Sequence, residues 1–112
     1  MTVAPHFSPV AQDADIGAGR LYGVRVGEVP VLLVRLNGVV YAIGRICTHE
    51  YADLADGELE DGCVVCPLHG SRFDIATGQA LTLPAVLPEP VYEVRIEHGI
   101  VYVAAPPDAG TT

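Results

Sequence analysis

Two short boxes constrain this chain more than anything else in it. They are Cys47-Thr48-His49 and Cys66-Pro67-Leu68-His69, C-x-H and C-x-x-H with sixteen residues between them. Two thiolates and two imidazoles are a full donor set for a tetrahedral metal ion or for an iron–sulfur cluster. In C-x-H the two donors stand two residues apart, on one side of an extended or looping backbone. In C-x-x-H, Pro67 turns the chain inside the box, and Gly70 lets it bend away directly after His69. Two such loops facing each other enclose room for one small centre.

The scaffold around the boxes reads as short strands with turn punctuation and no helix. Leu21 to Val26 alternates, Val31 to Leu36 follows it, and Asn37-Gly38 separates that run from Val39 to Ile43. Asn-Gly between two β-rich runs is a strong hairpin signal, because both central residues must reach positive φ. Asp61-Gly62 separates Glu58 to Glu60 from Cys63 to Val65 in the same way, and His98-Gly99 separates Val91 to Glu97 from Ile100 to Ala104. The fold class is therefore all-β, and 112 residues make one domain spanning 1–112. Strands before residue 44 and after residue 90 form a framework, and residues 45–85 form a subdomain inserted into it. The core is expected over about 7–103. Leu83 to Pro90 is a stiff, apolar connection back to the framework, and 105–112 is expected to be a frayed tail.

Composition narrows the partners. A net charge of −8 sets the chain against nucleic acid and anionic membrane and favours a partner with a basic docking face. Met1 to Val10 has no basic region followed by an apolar run, so it reads as no export signal. No stretch approaches the length of a membrane span. Three cysteines are an odd count with two claimed by the boxes, which points away from a disulfide framework and toward a reducing, cytoplasmic setting.

The flanks of the boxes favour a cluster with two Cys on one iron and two His on the other. Cys47-Thr48-His49 together with Cys66-Pro67-Leu68-His69-Gly70-Ser71-Arg72-Phe73-Asp74 resembles the Rieske ferredoxins. More narrowly, it looks like the ferredoxin components of bacterial aromatic-ring dioxygenase systems, with similarity over about residues 7–103. The resemblance implies a Rieske fold, an antiparallel sandwich or barrel-like β framework carrying an inserted cluster-binding subdomain. It implies one [2Fe–2S] cluster held by Cys47, His49, Cys66 and His69, with Ser71 hydrogen-bonding near the cluster sulfurs. It further implies a one-electron carrier, not an enzyme, between a flavin-dependent reductase and a terminal oxygenase.

Departures from other branches sharpen this. Respiratory and photosynthetic Rieske proteins carry a disulfide across the cluster, but the corresponding positions here are Ala52 and Leu68. A Tyr hydroxyl that bonds the cluster in those proteins is replaced by Phe73, so a potential toward the low end of the Rieske range, about −150 mV, is expected. Oxygenase subunits need a second iron site of two His and one carboxylate, and only His6 and His98 remain.

Other readings compete. A Cys₂His₂ zinc staple in a β interaction module would use the same four side chains, and Cys63-Val64-Val65-Cys66 strengthens it. The chain also suits the small Rieske subunit of a nitrite-reductase-like enzyme, or a carrier for another monooxygenase. Cys63 reads as a strand residue, and His6 and His98 as surface residues. Glu50, Asp53, Asp56, Glu58, Glu60 and Asp61 crowd the segment between the boxes, as a solvated face or a docking surface. Arg45 and Arg72 lie near the ligands in sequence. Leu54, Pro67, Leu68, Pro84 and Pro88 form an expected apolar collar around the centre.

Overall fold

A computed structural model describes residues 7–49 and 51–104. Nine strands appear in it: β1 (Phe7–Gln12), β2 (Leu21–Val26), β3 (Val29–Leu36), β4 (Val39–Gly44), β5 (Glu58–Glu60), β6 (Cys63–Val65), β7 (Arg72–Asp74), β8 (Val91–Glu97) and β9 (Ile100–Ala104). Helix among the described residues is limited to two single 3₁₀ turns, Asp13–Asp15 and Leu54–Asp56. The all-β expectation holds. The expected tail at 105–112, and His6 with the start of the N-terminal segment, lie outside the described residues.

The three expected hairpins form with the turn chemistry that was read from them. Asn37 and Gly38 have φ of 51° and 82°, Asp61 and Gly62 50° and 77°, and His98 and Gly99 53° and 78°. These values suit type I′ turns, whose twist matches that of the strands they join. A fourth hairpin, β2 to β3, turns through Gly27 (φ 61°) and Glu28, pairing Val26 with Val29. This extends β3 two residues earlier than its apolar run suggests, carrying Pro30 within the strand opposite Arg25.

Two antiparallel sheets result. The larger has six strands in the order β1-β9-β8-β4-β3-β2, and its edge strands β1 and β2 approach each other, so it nearly closes. The smaller is β5-β6-β7. Strand β3 shows why the sequence runs Val31-Leu32-Leu33-Val34 without polar alternation. Val31 and Leu33 pack with Val40, Ala42, Val101 and Val103 inside the curled sheet. Leu32 and Val34 pack the other way with Ile43, Val64, Phe73 and Ile75, against the smaller sheet. A strand buried on both faces needs apolar residues at every position. The second of these cores also contains Cys47 and Cys66, which places both boxes at the seam between the sheets.

Candidate metal centre

The first box leaves the framework at the end of β4. Ile46 and Asp53 pair across the base of the loop, the Cys47 N–H donates to the Ala52 carbonyl (2.9 Å), and the Leu54 N–H donates to the Arg45 carbonyl (2.7 Å). Arg45 clamps the loop from outside. Its Nε donates to both Asp53 carboxylate oxygens at 3.0 Å, and it reaches back to the Val24 carbonyl at 3.3 Å. Asp53 also accepts from the Ala55 N–H (2.9 Å) and so caps the 3₁₀ turn. Burial would raise the Asp53 carboxyl, but the bonds from Arg45 and Ala55 outweigh it and hold the group below the usual carboxylate range.

The second box lies between β6 and β7. The Cys66 N–H donates to the Ser71 carbonyl (2.8 Å) and the Gly70 N–H to the Cys66 carbonyl (3.1 Å), closing the turn over Pro67, Leu68 and His69. Gly70 has φ of 75°, the conformation its place in the sequence called for. Arg72 pairs with Glu60 across the small sheet (2.7 Å), so two of the crowded carboxylates, Asp53 and Glu60, are held by the two arginines nearest the boxes. Asp56, Glu58 and Asp61 remain exposed, and Glu50 lies outside the described residues.

The four box residues divide by exposure. Cys47 and Cys66 are 5% and 2% exposed and belong to the core between the sheets. His49 and His69 stand exposed, with ring centroids 6.0 Å apart and planes at 57°. Among the described residues no disulfide joins any of the three cysteines. Soft sulfur donors inside and two neighbouring imidazoles outside are the donor set a mixed thiolate and imidazole two-iron cluster requires, so the residues fit that group. Ser71 is buried, and its Oγ accepts the Ala85 N–H at 3.1 Å. A hydroxyl used as an acceptor still has its own hydrogen to donate.

Cys63 is a buried residue of β6, opposite Asp74, and burial pushes its thiol upward. His98 sits in the exposed β8–β9 turn. The expected collar needs one correction: Leu54 is fully buried, because the 3₁₀ turn aims it into the core beside Val64 and Phe73. Pro67, Leu68 and Pro88 are exposed as expected and Pro84 partly so. The sequence reading passed over Leu83, Val86 and Leu87, all strongly exposed, because their apolar run looked like a connection rather than a surface. That run is tied to both loops. The Thr48 hydroxyl donates to the Leu87 carbonyl (2.7 Å), and Ser71 holds Ala85.

One functional candidate gave no warning in the sequence. Glu89 is 3% exposed, and burial pushes its carboxyl up to about 8 against the opposing effect of the Thr48 N–H.

The chain is similar to known proteins. A profile of the Rieske [2Fe-2S] domain matches residues 6–95. The chain is 40% identical over 84 residues to the ferredoxin component of the naphthalene 1,2-dioxygenase/salicylate 5-hydroxylase systems of a Ralstonia species, covering 75% of this chain and 81% of that one. The Sphingomonas yanoikuyae B1 ferredoxin superposes with a TM-score of 0.85 at 32% identity, over 90% of this chain and all of that one. A chain in the complex of reduced oxygenase and oxidised ferredoxin of a carbazole 1,9a-dioxygenase superposes at 0.82 and 35% identity, over 88% and 92%.

Proposed function

The chain belongs to the Rieske [2Fe–2S] domain family, and from that premise we propose that Cys47 and Cys66 hold one iron while His49 and His69 hold the other. The protein is a ferredoxin component of an aromatic-ring dioxygenase system, an electron carrier and not a catalyst on its own. When bound, the cluster supplies reversible one-electron chemistry. The observation that carries the ligand assignment is the split between two buried sulfurs and two exposed, adjacent imidazoles.

Each side chain then has a task. The buried thiols anchor the centre at the seam between the sheets and keep water from it. The exposed imidazoles would hold their iron at the surface, where an acceptor could dock against them. With the Ala85 N–H on one lone pair, the Ser71 hydroxyl would have its hydrogen free to donate to the bound cluster, which would favour the reduced state. The buried Phe73 offers no such donor, so the potential falls near −150 mV, about the low end of the Rieske range. Leu68, Leu83, Val86 and Leu87 form an apolar rim that a terminal oxygenase covers during transfer, and a flavin-dependent reductase uses the same end to load the electron. Sharing one end makes the two encounters mutually exclusive, as a shuttle requires.

We read the chain as a single Rieske domain over 1–112 with its cluster-binding part at about 45–85, a reading that the family match over residues 6–95 supports. No helix among the described residues is long and apolar enough to cross a membrane, and we place the carrier in the cytoplasm on its reduced-thiol chemistry. Anaerobic purification, iron analysis and EPR after dithionite reduction test the assignment. The expected result is a red-brown protein with two irons per chain that becomes EPR-active on reduction by one electron. A colourless protein holding one zinc contradicts it.

A further inference from the structure

A glycine stands in the middle of an edge strand, where neither strand preference nor backbone conformation asks for one. Gly23 lies within β2 between Tyr22 and Val24 and pairs with Leu32 of β3. Its φ lies outside the left-handed region, so the backbone there accepts any residue. Glycine in a strand interior gives up side-chain packing and costs conformational entropy. What the position lacks is room. A Cβ at Gly23 would lie 2.7 Å from Cζ, 2.8 Å from Nε and 3.0 Å from Nη1 of Arg45, three atoms of one guanidinium. Paired residues project to the same side of a sheet, and Leu32 packs toward the smaller sheet. The guanidinium therefore occupies a β2 side-chain position on the face that meets the box-bearing end.

The same guanidinium clamps the first loop. Nη1 donates to the Val24 carbonyl on β2 (3.3 Å), Nε donates to both Asp53 carboxylate oxygens (3.0 Å each), and Nη2 lies 2.9 Å from Asp53 Oδ2. The Arg45 backbone is fixed as well. Its N–H donates to the Pro30 carbonyl on β3 (3.3 Å), and its carbonyl accepts the Leu54 N–H (2.7 Å). Arg45 and Asp53 flank the loop 46–52, with Ile46 bridged to Asp53 across its base. The Leu54–Asp56 turn, which Asp53 caps, packs against β2. From Gly23, contact passes through one side chain to the foot of the loop that carries Cys47 and His49. A planar fork with partners on two sides has little freedom to slide, so pushing it off β2 turns it against Asp53.

We propose that Gly23 is a positioning residue for the first ligand loop: the space it leaves on β2 seats the Arg45 guanidinium, which holds Asp53 and with it the base of the loop. This rests on the assignment of Cys47 and His49 as ligands. A side chain at position 23 unseats Arg45, loosens the loop and alters the surroundings of the centre, while the sheet itself stays intact.

Gly23→Val tests this, because strand preference alone makes the substitution neutral or stabilising. Wild type, Gly23→Val, Arg45→Ala and the double variant are compared in far-ultraviolet circular dichroism, in the rate of iron release to a chelator, and in EPR g-values after dithionite reduction. The expected result for Gly23→Val is an unchanged circular dichroism spectrum, changed g-values, and iron release faster by roughly fivefold, the rate counterpart of one lost hydrogen bond. Arg45→Ala is expected to release iron at least as fast. Adding Gly23→Val to it should change nothing further, since the group that collides is gone. A Gly23→Val protein with wild-type release and g-values overturns the inference. So does a double variant in which the two effects add, because Gly23 would then act independently of Arg45. Where Gly23→Val or Arg45→Ala fails to fold, Gly23→Ala or Asp53→Asn replaces it in the same cycle. The single added carbon of Ala meets the same guanidinium, and additive effects overturn the inference there too. If the wild type itself lacks the two-iron signal, the ligand assignment fails and the role of Gly23 falls with it. A normal wild type with indifferent variants removes the role of Gly23 alone.

Discussion

The six-stranded sheet and the box-bearing end are held together by different means. In the sheet, β3 and β4 run six to eight residues, pair along their lengths, and bury Val31, Leu32, Leu33, Val34 and Ile43 completely. At the other end the strands are three residues long, and polar side-chain bonds set the loops: Arg45 to Asp53, Arg72 to Glu60, Thr48 to Leu87, Ala85 to Ser71, and Thr77 to Asp74. Apolar burial is non-directional and spread over many residues, so it stabilises the framework without fixing any one atom closely. Hydrogen bonds are directional and individually modest in stability. A centre that needs four donors in set places is built from the second kind of interaction and mounted on the first.

That contrast is broken most severely at the ligands. Cys66→Ala is expected to abolish the iron and the visible absorbance altogether while the far-ultraviolet circular dichroism of the β framework persists; loss of both together would show that the two regions are not separable. At the framework, Leu33→Ala removes a fully buried side chain from the curled sheet. It should lower stability by about 2–5 kcal/mol and leave the midpoint potential unmoved. Denaturant unfolding alongside a redox titration checks this, and a shifted potential would blur the division.

The smallest effect is expected at the clamp of the first loop. Asp53→Asn should cost about 1 kcal/mol and make iron release by a chelator faster. The sign of its pH dependence follows from linkage. The Asp53 carboxyl is held below its ordinary value in the folded state, so its contribution is present above the unfolded value near ~4. It disappears as pH falls through the lower folded value. Wild type and Asp53→Asn should therefore differ at neutral pH and converge in acid. A difference that grows in acid would mean the carboxylate is not the stabilised form.

Much of the framework was legible because its determinants are local. Asn37, Asp61 and His98, each before a glycine, mark turns whose geometry depends on two residues. The grouping of the strands before residue 44 with those after residue 90 holds too, since β1 pairs with β9 and β4 with β8, whereas β7, three residues long, leaves no periodic trace. The ligand boxes were legible because chemistry demands Cys and His by type. What the boxes rest on was not. Leu54 looked like a surface residue until the 3₁₀ turn aimed it inward. Glu89 falls within the connection read as stiff and apolar, and only the packing of Gly44 and Gly78 around it shows that it is buried. Contacts between residues 40 apart have no signature in spacing.

The central claim is that two imidazoles from different loops share one centre with two thiolates. Pulsed EPR of the dithionite-reduced protein, detecting the electron spin-echo modulation from directly bound nitrogen, tests it most directly. The account predicts two strongly coupled nitrogens in the wild type, with one lost in a His69→Cys variant that retains its iron. A single nitrogen coupling in the wild type, or none, would contradict it.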